Sequence, residues 1–376
     1  MTRSISLAMV FGLVACGSSD SSGGPPAPTD STGSLRAITA QQGAGTDATG
    51  FSVLLDGVSI GTLTDRDTVV VEDLSPGQHS VALGDLATNC YGTNLSRNTS
   101  IAVGTVRTES FQPICFLPLS NRILMDAQGG IHWIAPAGGL LTPLATTTEP
   151  VESPVASPDG ALFAYVRYLT GQRRLAVARA DGTDIHDIVM SCVRFPAWNP
   201  SGTQIAFSSF SCDSTGNGDI RVVASGGGTV TSLTETPDLN EEHPSWSPDG
   251  SQIVFYVSGS GGGLFRMDAV GGDTTRITSD DSDRDPVWAP SGQRIAFVRG
   301  LNPNRAIWLV NADGSDPVPI TGGSALDGSP TWSPDGQQLA FTRGGGPQSI
   351  RIVDTTGTND HAIISNIFVG DLHWAR

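Results

Sequence analysis

The chain has 376 residues, enough for about two domains of ordinary size. It carries 46 glycines and 24 prolines and no long apolar stripe at helical spacing, which excludes a helix-rich fold and points to an all-β one with many turns. A formal net charge of −16 with only 21 Lys and Arg excludes the basic footprint of a nucleic-acid binder. The acidic residues are spread through loops, as a solvated surface, rather than gathered in a tail.

The first 30 residues read MTRSISLAMVFGLVACGSSDSSGGPPAPTD. One basic residue, Arg3, precedes an apolar run over 5–15, too short to span a bilayer and suited to a secretory leader. The run ends in Leu13, Val14, Ala15 and Cys16, which resembles a bacterial lipobox. That resemblance implies a signal peptide at 1–15, cleavage before Cys16, and acyl chains on the thiol and new amine of Cys16. Several chains on one residue anchor stably where one is marginal. Residues 16–34 then form the lipidated Cys and a flexible Gly/Ser/Pro tether. Gly17 rather than Asp follows the Cys, which by analogy with Gram-negative sorting implies the outer membrane, with the periplasmic or surface face left open.

Residues 35–117 alternate apolar and polar positions, as in GFSVLLDGVSIGTL and DTVVVEDLSPGQHSVAL, with turn signals at Asp56-Gly57 and Ser75-Pro76-Gly77. FSVLLDG and DLSPGQHSVAL resemble small surface-layer modules of the PEGA or carboxypeptidase-regulatory type, implying a small β-sandwich that acts as a spacer or adhesive platform. GVSIG (57–61) fits a nucleophile-elbow pattern, yet Asp56-Gly57 reads as a hairpin turn with strand on both sides, so no nucleophile is assigned. With Cys16 given to lipid, four of the five cysteines remain, an even number suited to an oxidising compartment. Cys90 and Cys115 share this segment, where pairing them would staple a core of modest size.

From residue 118 to 376 one motif recurs: SPVASPDG, FPAWNPSG, HPSWSPDG, DPVWAPSG and SPTWSPDG, ending at Gly160, Gly202, Gly250, Gly292 and Gly336. Each is followed by an apolar strand (LFAYVR, IAFSS, IVFYV, IAFVR, LAFTR), a second strand and a shorter third. With the motif strand that makes four strands per unit of 42 to 48 residues from Trp198 through Trp246 and Trp288 to Trp332, the period of a propeller blade. In SPDG the Pro presets φ, the Asp bonds its own backbone, and the Gly turns the chain into the next strand. The Trp two residues before the Pro is expected to fill the gap between blades, with Ala156 in its place in the first motif. Before the first motif stand RILMDAQGG, IHWIAPAGG and LLTPLATT, three strands lacking a partner; at the C-terminus DLHWAR supplies the fourth. Five whole units and one split unit predict six blades, closed by pairing HWAR with RILM, which removes free edges. Cys192 and Cys212 flank the second motif, and a hairpin there places residue 192 opposite 211 or 212, so a disulfide is plausible on geometry.

These repeats resemble those of TolB-type six-bladed propellers, which carry WSPDG..IAF in this order. In such proteins one mouth of the channel receives peptide segments of partners, and the resemblance implies a similar use. The positions two before each motif Pro are Glu152, Arg194, Glu242 and Arg284, then Gly328 and Gly370, with Asp327 and Asp371 one residue away. These charged residues are expected to ring the mouth and to steer and select a partner. No catalytic residue is assigned: His132, His186, His243, His361 and His373 sit singly on different blades and read as surface or loop groups. No metal site or cofactor is assigned either, since the Asp-rich runs DDSDRD (280–285) and DSTGNGD (213–219) lack a full calcium loop. The sequence therefore predicts a monomeric, non-enzymatic, lipid-anchored envelope protein that binds a protein or peptide and no nucleic acid. The alternatives are an envelope hydrolase or lyase using the channel, or a glycan-binding module.

Overall fold

The computed structural model describes residues 2–6, 32–40, 50–64, 67–86, 90–91, 95–115, 118–210, 218–236, 238–322 and 325–376. Every regular element among them is a strand. The chain divides into two compact units, Met1–Leu117 and Pro118–Arg376. Cys16 and most of the leader and tether lie outside the described residues, while Thr2–Ser6 form a strand parallel to Thr68–Leu74.

The first unit is a small β-sandwich. One mixed sheet contains Thr2–Ser6, Thr68–Leu74, Gly33–Thr39 and Val106–Phe111; the other contains Val58–Leu63, Phe51–Leu55, Gly77–Gly84 and Ser96–Ile101. Alternation decides which side chains meet: Leu35, Ala37, Phe51, Val53, Val69, Val71, Val81 and Phe111 are all buried in one core. The strand Gly33–Thr39 begins two residues inside the stretch read as tether. Gly33 is already packed there, because a Cβ would lie 2.5 Å from the Ala102 carbonyl oxygen. Asp56 and Gly57 both have φ near +50 to +80° and close a hairpin whose second strand carries the exposed Ser59, so GVSIG is a strand and no elbow. Cys90 and Cys115 are cross-strand partners joined by a disulfide.

The second unit is a six-bladed β-propeller, with six four-stranded antiparallel sheets among the described residues. We number the blades so that blade 1 is the split one. Its strands, from the outside inward, are Thr142–Thr146, Gly130–Ile134, Ile123–Ala127 and the C-terminal Val369–Trp374. The innermost strands of blades 2 to 6 are Val151–Ala156, Val193–Trp198, Asn240–Trp246, Arg284–Trp288 and Asp327–Trp332. Closure pairs Ile123 with Trp374 and Leu124 with His373.

The turn chemistry works as the motif demands. In SPDG the Ser157, Ser247 and Ser333 hydroxyls each donate to the Asp two residues on at 2.6 Å, and the following Gly has φ near +70°. The Trp residues join neighbouring blades: the indole N–H of Trp198, Trp246 and Trp332 donates to the carbonyl of Val155, Ala197 and Val287 in the blade before, at 3.0–3.1 Å. Each also packs in a core that mixes side chains of two blades. Around Ser201 and Gly202, Val193 faces Ser209 and Arg194 faces Ser208, and the Phe210 N–H donates to the Cys192 carbonyl, so Cys192 stands opposite 210, just short of the expected 211 or 212. Cys192 is disulfide-bonded, and Cys212 lies outside the described residues.

Candidate functional site

Connections from the outermost strand of one blade to the innermost strand of the next all lie on one face, the mouth of the channel. Innermost strands run from the mouth inward, and each is bulged near its start. The register shifts between Glu152 and Val155, Arg194 and Ala197, Glu242 and Ser245, Arg284 and Val287, and Gly328 and Thr331. The bulged residue has φ between +47° and +52° in all five blades: Ser153, Phe195, His243, Asp285 and Ser329. Asp371 holds the matching place in the closing strand without a positive φ. Left-handed backbone costs a non-glycine residue about 1–2 kcal/mol, and the bulge re-aims these six side chains into the channel. They line a cavity of about 220 Å³, followed inward by Val155, Ala197, Ser245, Val287, Thr331 and His373.

The charged residues expected at the mouth sit one position earlier, at the last paired residue before each bulge. There they turn to their own blade rather than into the cavity. Glu152 accepts a hydrogen bond from the Tyr168 hydroxyl at 2.6 Å and lies 3.5 Å from Arg173. The Arg194 guanidinium lies over the Phe210 ring, and Arg284 Nε donates to the Ser282 carbonyl. Glu242 stands opposite Tyr256, whose hydroxyl pKa is raised by burial and then by that carboxylate. All four are half-buried. Asp327 is placed elsewhere: it is buried under the blade in a bidentate pair with Arg343, at 2.6 and 2.9 Å. Asp283 makes the same pair with Arg299 one blade earlier, so both carboxylates tie a strand to its neighbour.

Asp371 does face the channel. It accepts hydrogen bonds from Ser153 Oγ at 2.5 Å and Ser329 Oγ at 3.4 Å, and its backbone N–H donates to Asp126 Oδ1 at 3.0 Å. Two of the histidines read as surface groups are in the channel wall, and His132 is buried; His186 and His361 are exposed. With its centroid 3.4 Å from that of Phe195 and its plane tilted by 30°, the His243 ring has Tyr256 at 5.7 Å and its Nε2 3.5 Å from Asp285. Burial, with Arg376 adding to it, holds the His373 imidazole down to about 4, so it is neutral near pH 7. The run 280–285 is consumed locally: Asp280 accepts from Ser282, Asp281 faces Arg276, and Asp283 pairs with Arg299. Residues 213–217 of the other Asp-rich run lie outside the described residues. Among the described residues no three His, Cys, Asp or Glu side chains converge as metal ligands.

Burial, and then the charge of Asp371, push the Asp126 carboxyl up to about 7. Its folded pKa is raised above the ordinary 3.8, so the folded protein keeps a proton that the unfolded chain gives up. Stability from this group is therefore full below the unfolded value and falls as pH rises from there towards about 7. Asp126→Asn is expected to flatten the fall, measured as urea midpoints across that window; an unchanged pH slope would show that Asp126 does not carry it.

Residues 138–364, well over half of the chain, match the TolB beta propeller domain. Among solved structures, the chain is similar to TolB from Acinetobacter baumannii, at 21% identity and a TM-score of 0.61, with 69% of this chain and 67% of that one covered. It is also similar to a TolB candidate from Agrobacterium tumefaciens, at 22% identity and a TM-score of 0.56, with 66% and 90% covered. The likeness to these structures is one of fold; the motifs of the five whole repeats fall within the matched residues, while Ile123–Ala127, Gly130–Ile134 and Val369–Trp374 of the split blade lie outside them. The chain belongs to the TolB beta-propeller family.

Proposed function

We propose that this chain is a lipid-anchored cell-envelope protein whose propeller binds a protein or peptide partner at the channel mouth without catalysing a reaction. One observation carries the reading. Five blades hold a non-glycine residue in left-handed backbone at the same place, and the six side chains of the ring are of four kinds, two Ser, two Asp, one Phe and one His, although the motif around them repeats. Strain kept at equivalent positions with varied chemistry is what a recognition surface needs and a scaffold does not. His243 has an acid at one edge and an aromatic ring on its face, and among the described residues no hydroxyl is hydrogen-bonded to its ring, so no nucleophile is activated there. In this reading Cys16 carries the lipid, residues 17–32 are the tether, and the sandwich is a spacer. Cleavage before Cys16 would remove Thr2–Ser6 and leave the edge of Thr68–Leu74 open to solvent.

In-cell crosslinking after membrane fractionation tests this. Wild type is expected in the outer-membrane fraction with a reproducible crosslinked protein. Cys16→Ser should lose the membrane association. Reversing Glu242 and Arg284 together should weaken capture by the equivalent of about 2–5 kcal/mol for a buried charge contact; because both also contact their own blade, capture is compared at a temperature where the variant is shown by its melting curve to be folded. A lipid-labelled Cys16→Ser protein would refute the anchor, and a full partner set with the double reversal would refute the mouth.

A further inference from the structure

We propose that the channel takes the basic side chain of a partner segment, a lysine or arginine inserted through the mouth with its charged end between Asp285 and Asp371. This rests on the reading that the mouth docks a protein or peptide, and adds the chemistry of what goes in.

The cavity is short of positive charge where its carboxylates lie. Asp283 and Asp327, which are buried, and the half-buried Asp187 each have an arginine at 2.6–3.1 Å. Among the described residues, the side-chain partners of Asp371 are serine hydroxyls and that of Asp285 is His243 Nε2 at 3.5 Å. Arg284 and Arg305 bear on Asp285 electrostatically, yet neither is hydrogen-bonded to it. His373 is neutral, and Arg376, an arginine in the cavity lining, bears on His373 rather than on Asp285. The cost of the missing cation shows in Asp285 and Asp126, whose carboxyls are both pushed up, mainly by burial. A cationic end removes that cost; an acidic one adds to it, and an apolar one leaves it in place.

The rest of the wall suits the same guest. Phe195 and His243 present an aromatic face against which an alkyl stem or a cation packs favourably. About 220 Å³ holds one long side chain and excludes a folded element. At the mouth Phe368 is 71% exposed beside Asp126 and Gly370, next to Asp371, where the backbone flanking an inserted residue would rest.

The probes are the capped peptides acetyl-Gly-Gly-Lys-Gly-Gly-amide and its norleucine and glutamate counterparts, titrated into the full chain at low salt and followed by NMR. The lysine peptide is expected to bind about tenfold or more tightly than either counterpart, and Asp285→Asn with Asp371→Asn should erase that preference. Should the double variant fail to fold, Asp285→Asn alone serves, since Asn tolerates the left-handed backbone there; it should lose most of the preference. Equal binding of the lysine and norleucine peptides, no binding of any of the three, or a lysine preference that survives the aspartate variants would overturn the proposal. A partner lost on reversing Glu242 and Arg284, with no lysine preference, keeps the docking mouth and rejects the basic guest. The converse pattern keeps the basic pocket and rejects the docking mouth.

Discussion

Removing residues 372–376 is expected to cost the propeller most of its stability. Leu372, Trp374 and Ala375 are 8%, 3% and 0% exposed. Trp374 and Leu372 share a core with Ala340, Ile350 and Ile352 of blade 6 and with Ile123 and Met125 of blade 1, so the strand closes the ring as well as completing a sheet. The Trp374 indole donates to Asn121, its backbone N–H donates to the Thr331 hydroxyl oxygen at 2.9 Å, and Ala375 exchanges backbone hydrogen bonds with Asn121 and Arg122. Truncating one large core side chain costs about 3–5 kcal/mol, and a whole domain holds only about 5–15. Losing two such side chains and their ladder therefore removes an amount comparable to the total. A fall in melting temperature of about 10–20 °C is expected for whatever still folds. Self-association should accompany it, because Ile123–Ala127 becomes an open edge. A peptide spanning 369–376, added in excess, should restore part of the loss. A truncated chain that melts with wild type and elutes as a monomer would rule out closure by this strand.

That closure was legible because every blade spells out the same local requirements. SPDG needs a Pro, an Asp and a Gly in that order for reasons internal to the turn, and the Trp two residues earlier marks the inner strand. The sandwich, too, declared itself by alternation in FSVLL and TVVVEDL. The position of the channel ring was not legible in the same way. A residue before proline is normally held to extended backbone, so nothing in Ser153, Phe195, His243 or Asp285 announces a left-handed turn. The bulge is set by how inner strands crowd around the axis, a tertiary effect, and it moves the lining residues one place beyond the charged positions chosen from the motif. Counting back from the tryptophans recovers what spacing from the proline missed. Phe195, His243, Asp285, Ser329 and Asp371 each lie three residues before a Trp and His373 one before, whereas Asp327 lies five before Trp332, with Asp283 five before Trp288. The histidines looked isolated in the sequence because their neighbours in the ring come from other blades.

Asp327→Ala is expected to destabilise the protein by about 3 kcal/mol or somewhat more, and to leave channel binding unchanged. The Asp327 side chain is 1% exposed and both its oxygens are held by Arg343. Removing one partner of a buried pair typically costs about 3–5 kcal/mol, because the other charge stays behind. Arg343 keeps Asp360 at 2.8 Å and lies over the Phe341 ring, so the penalty should fall towards the lower end. If the orphaned charge is the cause, Arg343→Met in the Asp327→Ala background should recover part of the loss, and the two substitutions should be non-additive. Denaturant midpoints for the two single variants and the double variant measure this. A loss below about 1 kcal/mol would place Asp327 among surface groups. Loss of partner capture at full stability would return it to the mouth, where charge rather than strand pairing would be its reason for being there.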